Sequence, residues 1–223
     1  MSEPALLELK DLVKVYPVGG IFSRKRLRAV DNVSFTMPSD RATIATLAGE
    51  SGSGKSTIAR IVLGLIKPTS GEVRYKGRNL AELSRKGRLA YNKEVGAVFQ
   101  DPYGTYNPFY KVDRIFSKAI KKFKLASSDA DRDKLILHAL SNVGLTPEEV
   151  LGRYPHQLSG GQRQRIMLAR ALLIGPSMIV ADEPVSMIDA SLRAGILNVV
   201  RDLRDKHGMS CLFITHDLSL IHI

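Results

Sequence analysis

The sequence predicts an α/β fold with a mostly parallel sheet, an antiparallel β-lobe near the N-terminus and an inserted helical lobe. After about residue 40, short apolar runs alternate with stretches of helical periodicity, which is typical of a parallel sheet with helical crossovers. Before that point, apolar and polar residues alternate with the period of half-buried strands. Between about residues 110 and 151, a polar and basic stretch of helical periodicity separates two core strands.

The antiparallel lobe is predicted at about residues 5–40 and 72–80. Its apolar positions recur at every second residue: Leu7, Leu9, Val13, Val15, Val33, Phe35, Met37, Val73 and Tyr75. A basic segment that contains glycine, residues 18–28, is predicted to form an exposed loop between the first two strands.

The core elements follow in order along the chain. Each predicted strand is a short apolar run, and each predicted helix has an apolar stripe and a Gly or Pro stop. The strands are predicted at 42–48, 95–99, 178–181 and 211–214, and the helices at about 55–66, 161–173 and 192–203. The helical lobe is predicted at about residues 108–165, and the whole chain is expected to form one domain.

The composition is that of a globular domain and argues against disorder. Of the 223 residues, 44% are hydrophobic and 25% are charged. The net charge of +11 is compatible with binding to nucleic acid, lipid headgroups or a phosphate ligand, and does not distinguish among these partners.

The single cysteine, Cys211, fits a reducing compartment. We expect no secretory signal and no membrane span, because the most apolar stretch, 168–181, contains Arg170 and Pro176.

The strongest motif is a phosphate-binding loop between the predicted strand at 42–48 and the helix that follows. Its glycines allow successive N–H groups to surround a phosphate at the positive end of a helix, Lys55 adds a charge for the β- and γ-phosphates, and Ser56 can ligate Mg²⁺. The alternative interpretation of this segment is an ordinary Gly/Ser turn without a ligand. The motif comprises Gly49, Glu50, Ser51, Gly52, Ser53, Gly54, Lys55, Ser56 and Thr57.

Three side chains follow two further predicted strands. Asp182 and Glu183 come after the apolar run 178–181, and His216 comes soon after 211–214. Carboxyl ends of parallel strands lie at one edge of the sheet, so we expect these groups near the phosphate loop. Asp182 would hold Mg²⁺ through water, Glu183 would act as general base, and His216 would complete the γ-phosphate site. Without the loop, Asp182 and Glu183 would be interpreted as a solvated strand end, and His216 as a structural or exposed histidine.

A second glycine-containing segment opens the predicted helix at 161–173. Leu158 precedes Ser159, Gly160, Gly161 and Gln162, which together form another helix N-terminus with accessible N–H groups. One nucleotide does not need two phosphate cradles in one chain. We therefore expect this one to serve a nucleotide held by another subunit, although a simple N-capping serine is the alternative.

These motifs resemble those of the ATP-binding cassette (ABC) ATPases, a family with a P-loop NTPase core. The phosphate loop resembles Walker A, residues 178–183 resemble Walker B, and residues 158–162 resemble the signature motif. By the same resemblance, Gln100 is the Q-loop glutamine with a catalytic and Mg²⁺-binding role, Asp189 belongs to the D-loop, His216 is the switch histidine, and Tyr16 stacks on adenine.

The resemblance implies ATP and Mg²⁺ as ligands and hydrolysis of ATP coupled to transport. It implies a head-to-tail dimer, with identical or paralogous subunits, and integral membrane partners at the cytoplasmic face of the inner membrane. No nucleic-acid partner is expected. Residues 100–108 and 154–157 further resemble the peptide importer subgroup. The C-terminal part of the family chain is expected to be missing after His216.

Two segments depart from the subgroup pattern. Residues 186–189 read Ser-Met-Ile-Asp where the family usually has Ser-Ala-Leu-Asp, and residues 109–111 read Phe-Tyr-Lys where Arg-Met-Thr is more typical. These departures concern the substrate rather than hydrolysis. Two alternatives stay open: an ATPase of the same family that acts on nucleic acid or ribosomes, and a shortened cassette that binds nucleotide without turnover.

Overall fold

The computed structural model of the protein describes residues 3–19, 25–99, 106–185 and 190–217, and in the last of these ranges it describes side chains from residue 193 onward. The strands in these ranges are β1 (Leu7–Pro17), β2 (Arg26–Met37), β3 (Ile44–Ala48), β4 (Ser70–Tyr75), β5 (Arg78–Asn79), β6 (Val95–Val98), β7 (Met178–Asp182) and β8 (Ser210–Thr215). The helices are α1 (Lys55–Val62), α2 (Arg85–Glu94), α3 (Asp113–Phe123), α4 (Asp129–Ser141), α5 (Pro147–Val150), α6 (Gly160–Leu172) and α7 (Ala190–His207). Short 3₁₀ turns lie at Leu80–Glu82 and Pro155–Gln157.

One sheet is antiparallel, with the strand order β2-β1-β4-β5. Strand β1 is continuous but carries a bulge, because its pairing with both neighbours shifts register after residues 9 and 10. At the bulge Asp11 has a positive φ of 47°, and its N–H donates to the Ser34 hydroxyl at 2.9 Å. The bulge explains why the apolar positions of β1 fall into two separate runs in the sequence.

The second sheet is parallel, with the strand order β3-β8-β7-β6. Alternate residues of its central strands face two different cores, as the period of a strand requires. Val180 and Leu212 pack with α1 and the antiparallel sheet, whereas Ile179 and Phe213 pack with α6, α7 and the other helices. Both faces are therefore covered, which is why these strands are apolar throughout. Their carboxyl ends lie at a common edge.

The predicted fold class is confirmed, since a parallel sheet, an antiparallel sheet and a helical segment inserted between β6 and β7 are all present. The inserted helices α3, α4 and α6 share one apolar core, to which Phe116, Leu140 and Ile166 contribute completely buried side chains. This core is continuous with that under the parallel sheet.

Two local predictions were incomplete. Helix α2 was not predicted, and the first residues of β2, Arg26–Arg28, lie in the segment predicted as a loop. These three residues are exposed and pair with the end of β1. The rest of that segment includes residues 20–24, which lie outside the described ranges. No helix within the described part of the chain is long and apolar enough to cross a bilayer.

Candidate functional site

The phosphate loop runs from the end of β3 into the first turn of α1. Gly52 and Gly54 have φ values of 83° and 91°, which residues with a side chain rarely adopt. Lys55 is the first residue of the helix and is buried, and its ammonium group donates to the carbonyl oxygens of Gly49 at 2.7 Å and Glu50 at 2.5 Å. The lysine side chain thus curls back over the loop, so its charge and the helix N-terminus lie together.

Strand β2 packs directly against this loop. A Cβ atom at Gly54 would lie 2.0 Å from the carbonyl oxygen of Ala29, so only glycine fits at this contact. Ala29 precedes Val30, which pairs with Lys14 of β1. The close contact couples the antiparallel sheet to the loop and was not foreseen from the sequence, because an alanine carbonyl carries no recognisable signal.

Tyr16 lies on the antiparallel sheet beyond this contact. It pairs with Leu27, two residues before Ala29, and is half-buried with the Lys14 ammonium 5.1 Å from its ring centroid. At about 3.3 Å per strand residue, Tyr16 is within roughly 10 Å of the contact with Gly54 along the strand. An aromatic ring at this distance is suitable for a base attached to a bound phosphate chain.

Ser56 and Asp182 meet across the loop and the end of β7. The Ser56 hydroxyl donates to an Asp182 carboxylate oxygen at 3.1 Å. Asp182 is 6% exposed, and this burial raises the pKa of its carboxyl group. The hydrogen bond from Ser56 opposes the increase, the negative charge of Glu183 adds to it, and the positive charges of Arg60 and Lys55 oppose it.

Glu183 and His216 meet one residue further along. The Nδ1 atom of His216 is 3.1 Å from the Oε2 atom of Glu183. Glu183 has a positive φ of 49°, and its N–H donates to the Ile214 carbonyl oxygen at 2.9 Å. A left-handed conformation is uncommon for glutamate and turns its side chain away from the path of β7. The Glu183 side chain is 12% exposed, whereas that of His216 is 52% exposed.

The residues beside His216 hold it at the end of β8. Thr215 is buried, and its hydroxyl accepts a hydrogen bond from the Asp217 N–H at 3.0 Å. Arg193, on α7, lies 3.4 Å from the Asp217 carboxylate. Sequence analysis missed these positioning contacts. The Thr-His-Asp order after an apolar strand was the signal for the turn, because threonine hydroxyls readily accept from a nearby N–H.

The glycine-containing segment at 158–162 caps α6. The Ser159 hydroxyl accepts from the Gln162 N–H at 3.1 Å, and the Gln162 side-chain oxygen accepts from the Ser159 N–H at 3.0 Å. This reciprocal capping box fixes the helix start. Ser159 is exposed, Gly160 is half-buried and Gly161 is buried. The alternative interpretation of Ser159 as an N-capping serine is therefore observed in the structure. The cap does not exclude that the same residue also binds phosphate.

The structure brings five of the candidate side chains together at one edge of the parallel sheet. They are Lys55, Ser56, Asp182, Glu183 and His216. Residues 159–162 are instead at the start of α6, in the inserted helical segment. Gln100 and Asp189 lie outside the described residues.

Comparisons with known proteins agree with the motifs. A sequence profile described as "ABC transporter" matches residues 30–186. The oligopeptide transport ATP-binding protein AppF of Bacillus subtilis (strain 168) is 39% identical over 99% of this chain and 67% of its own length. The dipeptide transport ATP-binding protein DppF of Haemophilus influenzae is 42% identical over 97% of this chain and 65% of its own length. The chain spans about two thirds of the length of these relatives.

Solved structures share the fold. A dimeric, post-hydrolysis structure of the ATP-binding cassette MJ0796 with ADP and phosphate has a TM-score of 0.82 and 30% identity, and the match covers 96% of this chain and 89% of that one. A second dimeric MJ0796 structure, described as a bacterial ABC transporter cassette, has a TM-score of 0.83 and 29% identity over 97% and 90% of the two chains.

Proposed function

Since this chain belongs to the ABC transporter family, we propose that it is the ATP-hydrolysing subunit of an importer and that it couples ATP binding and hydrolysis to transport of peptides. The observation that carries the proposal is the convergence at the sheet edge. Ser56 contacts Asp182 at 3.1 Å, and Glu183 contacts His216 at 3.1 Å, both beside the helix that begins with Lys55. A hydrolysis site needs these groups within one nucleotide's reach.

The loop and α1 would bind the triphosphate. Successive N–H groups from residue 49 onward and the positive end of α1 favour an anion, and the buried Lys55 adds a full charge. The carbonyl groups that now accept from Lys55 are neutral, so the ionised phosphate oxygens of a bound nucleotide would attract its ammonium group more strongly. Tyr16 would stack on adenine.

Ser56 and Asp182 fit a Mg²⁺ ion. Both present oxygen atoms, which are the ligands that Mg²⁺ prefers, and they already lie 3.1 Å apart. Asp182 is a buried carboxylate whose charge a cation would stabilise. Ser56, Asp182 through water and Gln100 would therefore hold the ion. When bound, Mg²⁺ would neutralise charge on the β- and γ-phosphate oxygens.

Glu183 would be the general base for the attacking water. Its left-handed backbone directs it from the strand end, and its carboxylate is largely shielded from solvent. His216 would orient the carboxylate through the 3.1 Å contact and reach the γ-phosphate with its exposed ring. Gln100 would assist in positioning the water.

A second cassette would complete the site. Ser159, Gly160, Gly161 and Gln162 lie on α6, at a helix N-terminus that can receive a γ-phosphate. We propose that they close over the nucleotide of the partner cassette, with Asp189 in the same interface. The dimeric MJ0796 structures are consistent with this arrangement. Integral membrane subunits at the cytoplasmic face of the inner membrane would be the further partners of this single-domain cassette.

Replacing Glu183 with glutamine tests the proposal. We expect the purified chain, combined with its partner cassette and membrane subunits, to release phosphate roughly 10²–10⁴-fold more slowly while still binding ATP. Glu148→Gln, the same chemical change at an exposed position of α5, is the control and should hydrolyse at the unaltered rate.

Three results would contradict the proposal. Hydrolysis of ATP by Glu183→Gln at the unaltered rate would exclude Glu183 as the general base. An unaltered assembly that binds ATP but releases no phosphate would indicate a cassette without turnover. Salt-sensitive binding of nucleic acid in place of membrane subunits would indicate the alternative function.

A further inference from the structure

A lysine lies beside the proposed adenine-stacking residue on β1. Lys14 and Tyr16 are two positions apart in the strand, so their side chains emerge on the same face of the sheet. The Lys14 ammonium group lies over the Tyr16 ring, 5.1 Å from its centroid, which is within the range of a cation–π interaction. Both side chains are half-buried, so water weakens this attraction less than it would at an open surface.

The same ammonium group is held at a second point. It donates a hydrogen bond to the carbonyl oxygen of Lys67 at 2.7 Å. Lys67 lies in the segment that joins α1 to β4, so a residue that follows the phosphate-binding helix keeps the cation at the ring. A free lysine side chain samples many rotamers, and two contacts at its end restrict it to few of them.

The same segment holds the backbone of β1 beside the ring. The Thr69 N–H donates to the Val13 carbonyl oxygen at 2.8 Å, and the Val15 N–H donates to the Thr69 hydroxyl at 3.0 Å. These hydrogen bonds fix the strand immediately before Tyr16. The ring is therefore oriented in two ways, by the backbone that carries it and by the cation over one of its faces.

The anchor of the lysine and the phosphate loop lie on opposite sides of β1. In the antiparallel sheet, β1 lies between β2 and β4. Residues 67–69 lead into β4, whereas the phosphate loop contacts Ala29 of β2 through Gly54. The ammonium group thus reaches the Tyr16 ring from the side away from the loop contact. The face of the ring toward the loop would be left for a base attached to the bound phosphates.

We propose that Lys14 is a positioning residue for the nucleotide: it orders the Tyr16 ring before ATP binds, so that adenine stacks on a ring that is already in place. A side chain that becomes ordered only on binding lowers the affinity, and a ring held in advance avoids this cost. The inference rests on the proposed function, since it requires adenine to stack on Tyr16. It adds a residue that acts through that ring and not through the phosphates.

ATP titration of the full chain tests this inference. We expect Lys14→Met, which keeps a side chain of similar length and removes its charge, to weaken ATP binding about 2- to 12-fold, the cost of ordering one side chain. Lys14→Arg should retain most of the affinity, because a guanidinium group can also donate to a carbonyl oxygen and stack on a ring. In a Tyr16→Leu background, Lys14→Met should have no further effect, because the ring through which it acts is absent.

Two controls separate the positioning of the ring from the loss of a charge. Lys10→Met makes the same change at an exposed lysine of β1 and should leave ATP affinity unaltered. Inorganic triphosphate, which has no base, should bind Lys14→Met and the unaltered chain equally well, whereas lost electrostatic attraction would weaken the binding of both ligands. Its binding also reports that the phosphate loop is intact in each variant.

Four outcomes would overturn the inference. Two of them are unchanged ATP affinity in Lys14→Met and equal losses of affinity for ATP and inorganic triphosphate. The third is an equal effect of Lys14→Met with and without the Tyr16 ring, and the fourth is unaltered ATP affinity in Tyr16→Leu itself. Failure of the proposed hydrolysis is distinguishable from all four, because it is measured as phosphate release with Glu183→Gln, whereas these titrations measure binding alone.

Discussion

Substitution of Gly54 by alanine tests the contact between the phosphate loop and β2. The new Cβ would lie 2.0 Å from the Ala29 carbonyl oxygen, about 1 Å closer than Cβ atoms approach other atoms in folded proteins. The oxygen cannot retreat easily, because Val30 beside it is buried and β2 is paired with β1 on this stretch. Either α1 or the strand must shift.

The expected cost has two parts. Alanine at the φ of 91° costs about 1–2 kcal/mol in the left-handed region. The steric overlap adds about 1–3 kcal/mol, as for other cases of overpacking. Gly52→Ala is the matched variant, because Gly52 has a φ of 83° but nothing within 4 Å of the position that its new methyl group would occupy, so only the first cost applies.

Urea unfolding of both variants measures these costs. We expect the free energy of unfolding to fall by about 2–5 kcal/mol in Gly54→Ala and by about 1–2 kcal/mol in Gly52→Ala. The displaced N-terminus of α1 should also weaken ATP binding in Gly54→Ala. Equal losses of stability in the two variants would show that the contact with Ala29 has no energetic consequence and would refute the reasoning.

Two further predictions concern the charged groups of the site. Lys55→Ala should weaken ATP binding about 10- to 160-fold, since a hydrogen bond to a charged group contributes about 1.5–3 kcal/mol. An unchanged affinity in a nucleotide titration would contradict this role. Burial raises the pKa of Asp182, so in the absence of nucleotide this carboxyl group stays protonated to higher pH in the folded protein than in the unfolded chain. The free energy of unfolding should therefore fall as the pH rises above 3.8, the ordinary pKa of an aspartate. Asp182→Asn should lack this decrease, and parallel pH profiles of unfolding for the two proteins would contradict the assignment.

Much of the site could be predicted because its signals are local. The loop motif needs glycine at positions of positive φ and a lysine at the start of the helix, and these residue types can be recognised directly from the sequence. The apolar strands before Asp182 and His216 place these residues at the same edge, because parallel strands end together. The pairing of Glu183 with His216 follows from that placement.

Other features had no local signal. Helix α2 has one buried side chain, Tyr91, so its hydrophobic periodicity is weak. It is held by Ser84, whose hydroxyl accepts from the Gly87 N–H at 3.1 Å, and by the Tyr91 hydroxyl, which donates to the Val62 carbonyl at 2.5 Å. The second bond joins residues far apart in sequence. Only the Ser84 cap is formed by residues that are close together in the sequence.

The first residues of β2 were also hidden. Arg26, Leu27 and Arg28 are all exposed, so they lack the alternation by which a half-buried strand is recognised. Their strand conformation depends on backbone pairing with β1, which the side chains do not report. The left-handed conformation of Glu183 is similar, because the hydrogen bond from its N–H to Ile214 belongs to the assembled sheet.

The cap of α6 restricts which residues can replace Ser159. The Ser159 hydroxyl accepts a hydrogen bond from the Gln162 N–H. A hydroxyl group can at the same time donate a hydrogen bond to a phosphate oxygen. Aspartate would start the helix equally well but would meet that phosphate with a like charge and no hydrogen to donate. Threonine retains both abilities, so in the proposed dimer, helix stability and phosphate recognition would impose different requirements on this one position.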